Sequence, residues 1–142
     1  HTSGFIGDFG ISVKAFIIKE GKLLILKRVK GEVHYANKWD IPGGRLLVGE
    51  DPFDGLKRET KEETGLDVEI LLPFAVNHFV RDDGQKITMI IFLCRALADG
   101  IVLSKAHTEY RWFDLKSLNE LQDWLVPIAR DFHKYKLGEF VS

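Results

Sequence analysis

A glutamate-rich stretch in the middle of the chain, residues 44–66, constrains the fold most because it predicts one helix with two well-defined ends. Asp51 is a good N-cap, and Pro52 suits the first helical position, where no amide hydrogen is needed. Gly65 suits the position just after the last turn. At about 100° per residue the helix has one narrow face to bury, which consists of Phe53, Leu56, Thr60 and Thr64.

A second face of this predicted helix is acidic. Glu59, Glu62 and Glu63 fall within about 100° of arc, and Gly55 lies one turn earlier on the same side, where its small size leaves open space. Like charges at this spacing destabilise a helix by roughly 0.2–0.5 kcal/mol per pair, so the cluster needs a reason. One alternative is a solvated surface with the neighbouring lysines and arginine as counter-charges. The other is a divalent-cation site, since carboxylate oxygens are the ligands that Mg²⁺ prefers.

The spacing of glycines and charged residues in this stretch resembles the Nudix box, Gx5Ex7REUxEExGU, in which U is an aliphatic residue. Gly44 is followed by five residues and Glu50, then by seven residues and the run from Arg58 to Leu66. The fixed charged positions and both glycines match, and the departure is Thr60 at the first aliphatic position. Thr is close to Val in shape, so this departure concerns local packing. A 23-residue motif with so many fixed positions is far more specific than a short pattern.

The resemblance covers nearly the whole chain and implies a fold and an activity. The fold class is α/β (α+β), a Nudix-type α/β/α sandwich with a mixed β-sheet. The activity is hydrolysis of a diphosphate bond in a nucleoside diphosphate derivative, with Mg²⁺ or Mn²⁺ as cofactor and a nucleotide-type small molecule as substrate. The metal ligands it implies are the backbone oxygen of Gly43 and the side chains of Glu50, Glu59, Glu62 and Glu63.

The same resemblance implies catalytic roles. Arg58 would hold Glu50 or Glu59 in place by a charge-assisted hydrogen bond, and one of the box glutamates would serve as the base. Ala106 stands where family members often carry a further glutamate, which leaves Glu109 as the carboxylate available in that later loop. The catalytic residues implied are Glu59, Glu62, Glu63, Arg58 and Glu109.

Three residues are predicted to contact substrate, each with a structural alternative. Arg28 ends a strand near the glycine turn and is a candidate phosphate contact or a solvated surface arginine. Tyr35 and Trp39 are candidates for stacking on substrate, although Trp39 also suits the core. Of the histidines, His78 suits a structural role in a strand, and His107 lies in the later loop, where it is a candidate to face substrate.

The remaining elements follow from local patterns. Strands are predicted at 11–18, 23–26, 46–48, 67–80, 86–97 and 101–103. The first two form a hairpin, Pro73 favours an edge strand or a bulge, and the apolar run in 86–97 predicts a central strand. A loop is predicted at 29–38 and a tight turn at 82–84. A short helical turn is predicted at 115–121, and a terminal helix at 127–135 whose buried face is Ile128, Phe132 and Tyr135.

Length and charge bound the remaining possibilities. The chain has 142 residues, enough for one domain, which we place at residues 5–142; residues 1–4 resemble the remnant of a cloning tag. The net charge of −1 argues against bulk nucleic-acid binding. The single cysteine, Cys94, predicts a buried thiol and fits a cytoplasmic protein. No apolar run is long enough for a membrane span, and a homodimer is an open possibility.

Within the implied activity, a MutT-like nucleoside triphosphate pyrophosphohydrolase is the leading interpretation, because the chain is short. Hydrolysis of ADP-ribose or another linked nucleoside diphosphate is the alternative. The residues that mark the ADP-ribose and dinucleoside polyphosphate branches lie past the box, and Arg81 and Asp83 occupy those places here. A non-catalytic nucleotide-sensing module, and a purely structural domain, are the alternatives from other classes.

Overall fold

The computed structural model describes residues 9–28 and 39–141, and these form one mixed sheet with a helix on each face. The strands are β1 (Phe9–Lys19), β2 (Lys22–Arg28), β3 (Trp39–Asp40), β4 (Gly43–Arg45), β5 (Val68–Val80), β6 (Lys86–Ala96) and β7 (His107–Phe113). The α-helices are α1 (Pro52–Thr64) and α2 (Leu125–Lys134), and two short 3₁₀ helices, η1 (Leu118–Glu120) and η2 (Leu137–Phe140), flank α2.

The sheet order is β3-β2-β1-β6-β5, with β4 paired to β1 and β7 paired to β2. β1 and β6 run parallel, and the other pairs are antiparallel. One face of the sheet packs against α1 through Leu56, and the other face packs against α2 through Leu125, Ile128 and Phe132. The predicted α/β/α sandwich with a mixed sheet is therefore confirmed.

Helix α1 begins and ends where the sequence predicts. The Asp51 carboxylate accepts hydrogen bonds from the backbone N–H groups of residues 53 and 54 at 2.8 and 3.1 Å. Gly65 has φ of 74° and donates its N–H to the Lys61 carbonyl at 2.9 Å, which ends the helix.

The buried face of α1 agrees with the sequence except at its first turn. Leu56, Thr60 and Thr64 are buried as predicted. Phe53, predicted on the same face, is instead 48% exposed. Its ring packs edge-on against Phe92 with the ring centroids 5.4 Å apart, and the rest of the ring meets solvent at the start of the helix.

The space beside Gly55 is filled, which corrects the expectation of open space there. A Cβ at Gly55 would overlap the end of the Leu46 side chain and would lie 2.9 Å from Glu50 Oε1. The chain between β4 and α1 folds back over this turn of the helix. Gly55 therefore allows Leu46 and Glu50 to pack directly against the helix backbone.

Strands β5 and β6 form the long hairpin that the sequence predicts. β5 is the edge strand, and its pairing with β6 shifts register between Ile70 and Leu72 and again between Pro73 and Ala75. β6 is central and buried from Ile91 to Cys94. The second register shift lies at Pro73, which cannot donate to the ladder, as expected.

Three of the local predictions differ from the structure. The strand expected at 46–48 is found at Gly43–Arg45, because it is the glycine turn that pairs with β1, and residues 101–103, which the structure describes, form no strand. The terminal helix begins at Leu125, two residues before Pro127, and Tyr135 lies just past its end with 60% exposure. The predicted loop at 29–38 and the predicted remnant at 1–4 lie outside the described residues. In the part of the chain that is described, neither α-helix has the length and apolarity to cross a membrane.

A close backbone approach between β1 and β4 generates a stability prediction. Gly43 has φ of 144°, and a Cβ there would overlap the Val13 carbonyl oxygen and lie 2.7 Å from Lys14 Cα. We expect Gly43→Ala to destabilise the protein by about 2–4 kcal/mol, since backbone cannot yield as a side chain can. Urea denaturation measures the change as a lower midpoint at an unchanged slope.

Gly21→Ala is the matched control. Gly21 has φ of 77° in the β1–β2 turn, and a Cβ there would meet no atom of the described residues within 4 Å. It therefore carries only the conformational cost of a left-handed residue, about 1 kcal/mol. Equal losses in the two variants would contradict the close approach at Gly43.

Candidate active site

The Gly43–Gly44 turn is the centre of the site, because two of the helix carboxylates lie directly against its backbone. The Gly43 N–H donates to Glu63 Oε1 at 2.7 Å. A Cβ at Gly44 would lie 2.6 to 2.9 Å from the carboxylate atoms of Glu59. A side chain at Gly44 would displace this carboxylate from its present place, so the turn and the acidic face of α1 pack directly together.

Arg58 donates hydrogen bonds to the carboxylates of Glu50, Glu59 and Glu62. The family resemblance implies the first two of these contacts. Arg58 Nε and Nη2 donate to the two oxygens of Glu50 at 2.8 and 3.0 Å, a bidentate pair. Its Nη1 donates to Glu59 Oε1 at 3.1 Å and reaches Glu62 at 3.4 Å. The hydrogen bond from Arg58, assisted by the Leu47 N–H, lowers the pKa of Glu50 to about 2. Glu50 is thus an ionised, firmly held carboxylate, and its role as a metal ligand stays a prediction.

Glu63 is the most buried of the box carboxylates. Burial raises its pKa to about 7, although the charge of Lys14 and the hydrogen bond from Gly43 act to lower it. The neighbouring carboxylates of Glu59 and Asp40 raise the pKa further. When no divalent cation is bound, Glu63 therefore holds a proton up to about neutral pH. A divalent cation bound at this place would compete with that proton.

The donor set suits Mg²⁺ or Mn²⁺ in its chemistry. Glu59, Glu62 and Glu63 offer hard carboxylate oxygens on one helix face, and the Glu62 side chain is 58% exposed, which leaves room for the waters that Mg²⁺ retains. Within residues 9–28 and 39–141 no three acidic, histidine or cysteine side chains already converge on one point. Arg58 donates hydrogen bonds to Glu59 and Glu62, whereas Glu63 accepts from the Gly43 N–H.

A pocket of about 400 Å³ opens beside the glycine turn. It lies on the α2 face of the sheet, where Lys14 projects, whereas its neighbours Val13 and Ala15 pack on the α1 face. Among the described residues its charged lining is four cations and one anion, namely Lys14, Arg28, Arg45, Arg81 and Asp40. Its apolar lining includes Phe79, Ile87, Met89 and Trp124. The pocket therefore combines a basic wall with an apolar wall, next to the acidic face of α1.

Lys14 and Asp40 form a buried ion pair that sequence reasoning missed. Lys14 Nζ lies 3.3 Å from Asp40 Oδ2 and donates to the Ile41 carbonyl at 3.1 Å. Asp40 Oδ1 accepts from the Ile41 N–H at 2.7 Å, and Arg28 Nη2 lies 3.9 Å from Oδ2. A lysine inside an otherwise apolar strand was the available signal, because such a charge must find a partner when it is buried.

Arg45 and Gln85 are further residues of this region that were not predicted. Arg45 Nη1 donates to Gln85 Oε1 at 2.6 Å, which ties β4 to the β5–β6 turn. Burial and the nearby charge of Arg81 lower the pKa of Arg45, while Arg81 is paired with Asp83 at 2.6 Å. No local pattern could reveal this arrangement, since β4 and the β5–β6 turn are far apart in sequence. They are brought close together because β4 and β6 both pair with β1.

Not all predicted site residues come together here. Arg28 lines the pocket, and its contact with phosphate stays a prediction. Trp39 belongs to the core, and its ring is covered by Lys27 and Arg111 at 5.4 and 5.2 Å, so the stacking prediction is corrected. Glu109 is exposed on β7 and faces Lys27 Nζ at 3.9 Å rather than the box glutamates. Tyr35 lies outside the described residues.

The two histidines differ in their surroundings. His78 is exposed on the edge strand, with Nδ1 3.3 Å from Thr88 Oγ1. His107 is buried at the start of β7, and its Nδ1 lies 3.9 Å from Glu63 Oε2. Burial, together with the charges of Arg28 and Lys14, lowers the pKa of His107 to about 4, so the ring is neutral at physiological pH. His107 therefore lies beside Glu63, and its predicted contact with substrate stays a prediction.

Comparisons with known proteins agree with this geometry. The family model described as NUDIX domain matches residues 8–135. Nudix hydrolase 5 of Arabidopsis thaliana is 32% identical over 102 residues, which are 70% of this chain and 33% of that protein. The ADP-ribose pyrophosphatase of Methanocaldococcus jannaschii is 27% identical over 129 residues, which are 90% of this chain and 75% of that protein. The chain thus spans about a third of the length of the plant relative.

A solved structure is also similar over most of its length. The crystal structure of a MutT protein from Methanosarcina mazei Go1 superposes with a TM-score of 0.79 at 30% identity, over 90% of this chain and 95% of that chain. Because the family model matches most of the sequence and the box residues lie together around the glycine turn, the chain belongs to the Nudix hydrolase family.

Proposed function

We propose that this protein hydrolyses a diphosphate bond in a nucleoside diphosphate derivative with the help of a divalent cation, and that its substrate is a nucleoside triphosphate. One observation carries the proposal. The carboxylates of Glu59 and Glu63 lie against the Gly43–Gly44 turn, and the same turn lines a pocket with a basic wall. An acidic face that suits a cation and a basic wall that suits phosphate thus meet at one point, which supports the proposal.

The residues on α1 would hold the cation. Glu59, Glu62 and Glu63 supply carboxylate oxygens, Gly43 supplies its backbone oxygen, and Glu50 stays beside them as the partner of Arg58. The cation, when bound, neutralises phosphate charge and lowers the pKa of a bound water. Arg58 fixes the direction of Glu50 and Glu59, and the Gly43 N–H fixes Glu63, so the ligands are oriented before substrate arrives.

The pocket supports a polyphosphate substrate. Lys14, Arg28, Arg45 and Arg81 against the carboxylate of Asp40 give its described wall a net positive charge, which suits three linked phosphates. The apolar wall, which includes Phe79 and Trp124, offers a surface for a nucleobase. Since the reaction depends mainly on positioning and charge neutralisation, such a wall contributes directly to the rate.

ADP-ribose or another linked nucleoside diphosphate is the second candidate, and the name of the archaeal relative favours it. These substrates carry two phosphates and a second polar group, so they use fewer of the four cations. A non-catalytic nucleotide-sensing module is the third candidate. The retention of all four box glutamates argues against it, because each loss would weaken the cation site.

A substrate panel tests the proposal. We expect Mg²⁺-dependent release of pyrophosphate or phosphate from nucleoside triphosphates, with slower turnover of ADP-ribose, NADH, coenzyme A and dinucleoside polyphosphates. Faster turnover of ADP-ribose would reassign the substrate within the family. Binding of nucleotide and Mg²⁺ with no turnover of any compound would favour the sensing module instead.

Removing one box carboxylate tests the cation role. We expect Glu62→Gln or Glu63→Gln to lower kcat/KM at least 100-fold, about 2.7 kcal/mol of transition-state stabilisation, because a ligand is lost while the size of the side chain is kept. Steady-state assays across a Mg²⁺ series measure this. Glu69→Gln, an exposed glutamate paired with Arg95, is the control and should stay near wild type. Survival of activity within tenfold in either box variant would contradict the role.

The raised pKa of Glu63 generates a pH prediction for the metal-free protein. Between the ordinary pKa of 4.5 and the folded value of about 7, the folded state keeps a proton that the unfolded chain has lost. The stability contributed by Glu63 is therefore complete below pH 4.5 and is lost as the pH rises through 7. His107 has the opposite slope between its folded pKa of about 4 and its ordinary 6.5, so the wild-type curve alone is ambiguous.

The variant Glu63→Gln isolates this contribution. Thermal melts in EDTA should show the variant gaining stability relative to wild type as the pH rises from 5 to 8, because Gln carries no buried charge. Excess Mg²⁺ at pH 8 should stabilise wild type more than the variant. A difference between the two proteins that stays constant across this pH range would contradict the raised pKa.

A further inference from the structure

His107 presents a buried polar atom without a hydrogen-bond partner in the described part of the chain. The residue is 7% exposed, and the atom without a partner is Nδ1 of its ring. Nδ1 faces Glu63 Oε2 at 3.9 Å, which is longer than a hydrogen bond. A buried polar group without a partner is costly to a fold, so its position needs an explanation.

The backbone fixes His107 relative to Glu63. The Val102 N–H donates to the Thr64 carbonyl at 2.8 Å, and the Ser104 N–H donates to the Glu63 carbonyl at 3.1 Å. The His107 N–H then donates to the Ser104 carbonyl at 3.3 Å. Residues 102–107 are therefore hydrogen-bonded to the end of α1. The Glu63 carbonyl accepts one of these hydrogen bonds, and His107 lies beside the Glu63 carboxylate.

Charged groups of the pocket also act on the His107 ring. Arg28 is the β2 residue paired with His107 in the sheet, and the charges of Arg28, Lys14 and Asp40 all act on the imidazole. Arg28 and Lys14 are cations and cannot accept a hydrogen bond, and Asp40 does not accept one from Nδ1 in the structure. In the described part of the chain, Glu63 Oε2 is thus the carboxylate oxygen that faces Nδ1, at 3.9 Å.

We propose that His107 is a positioning residue for Glu63, whose carboxylate it orients by donating Nδ1–H to Oε2 while the Gly43 N–H holds Oε1. The proposal rests on the proposed role of Glu63 as a metal ligand. A donor on each oxygen fixes the plane of the carboxylate, and hydrogen bonds of this kind to a metal ligand typically change metal affinity by 10–100-fold, to order of magnitude. His107 would act through Glu63 and would not touch the reacting atoms.

Cation affinity measured without nucleotide tests this role. We expect His107→Ala to weaken Mn²⁺ binding about tenfold, as followed by calorimetry or by the electron paramagnetic resonance of free Mn²⁺. His107→Asn keeps an N–H donor at about the place of Nδ1 and should restore affinity to within about threefold of wild type. His78→Ala is the control, since His78 is exposed on the edge strand. At saturating Mg²⁺ the KM for nucleotide should stay unchanged in all three variants.

A double-mutant cycle separates positioning from a purely structural role. If His107 acts through Glu63, the change His107→Ala costs Mn²⁺ affinity in the wild-type background and almost none in the Glu63→Gln background. Equal losses in both backgrounds would overturn the proposal, as would an Asn variant as weak as the Ala variant. Thermal melts in EDTA identify any variant that fails to fold. The cycle can then use His107→Asn, whose amide N–H lies near the place of Nδ1, and His107→Gln, whose amide N–H lies near the place of Nε2.

The failure of this proposal is distinguishable from the failure of the proposed function. Wild-type protein that binds Mn²⁺ and hydrolyses nucleotide, with an unaffected His107→Ala variant, overturns only the role of His107. Wild-type protein whose Mn²⁺ affinity does not respond to Glu62→Gln or Glu63→Gln overturns the cation site itself, and the role of His107 with it.

Discussion

The contact between the acidic face of α1 and the backbone of the Gly43–Gly44 turn is the interaction on which the site depends. The Gly43 N–H satisfies one oxygen of Glu63, and the missing side chain of Gly44 makes room for the Glu59 carboxylate. Gly43 can approach β1 closely for the same reason, since any Cβ would overlap the Val13 carbonyl. One pair of glycines therefore joins the helix to the sheet and orients two carboxylates at once.

Three of the acidic groups around this contact, Glu50, Glu63 and Asp40, have different partners. Arg58 holds Glu50 and keeps it ionised, the Gly43 N–H binds Glu63, and Lys14 pairs with Asp40. Burial makes the charged form of Glu63 unfavourable, and its pKa is raised accordingly.

The sequence predicted what depends on local order and missed what depends on distant pairing. The ends of α1, the β5–β6 hairpin and the Arg58 contacts follow from residues near one another in the chain. The positions of Lys14, Asp40 and Arg45 depend on which strands β1 pairs with, and no local pattern states this. Trp39 shows the same limit, because its cover by Arg111 arises from the pairing of β2 with β7.

The change of partner along β1 explains how a helix on one face of the sheet and a pocket on the other come together at the glycine turn. β1 pairs with β2 at Ile18 and Lys19, and from Ser12 to Lys14 it pairs with β4 instead. The sheet therefore opens between β1 and β2, and the glycine turn fills the gap. A charged side chain such as Lys14 can reach this opening from a central strand, while the carboxylates of α1 reach it from the opposite face. The opening in the sheet is thus what brings the basic wall and the acidic face together at the glycine turn.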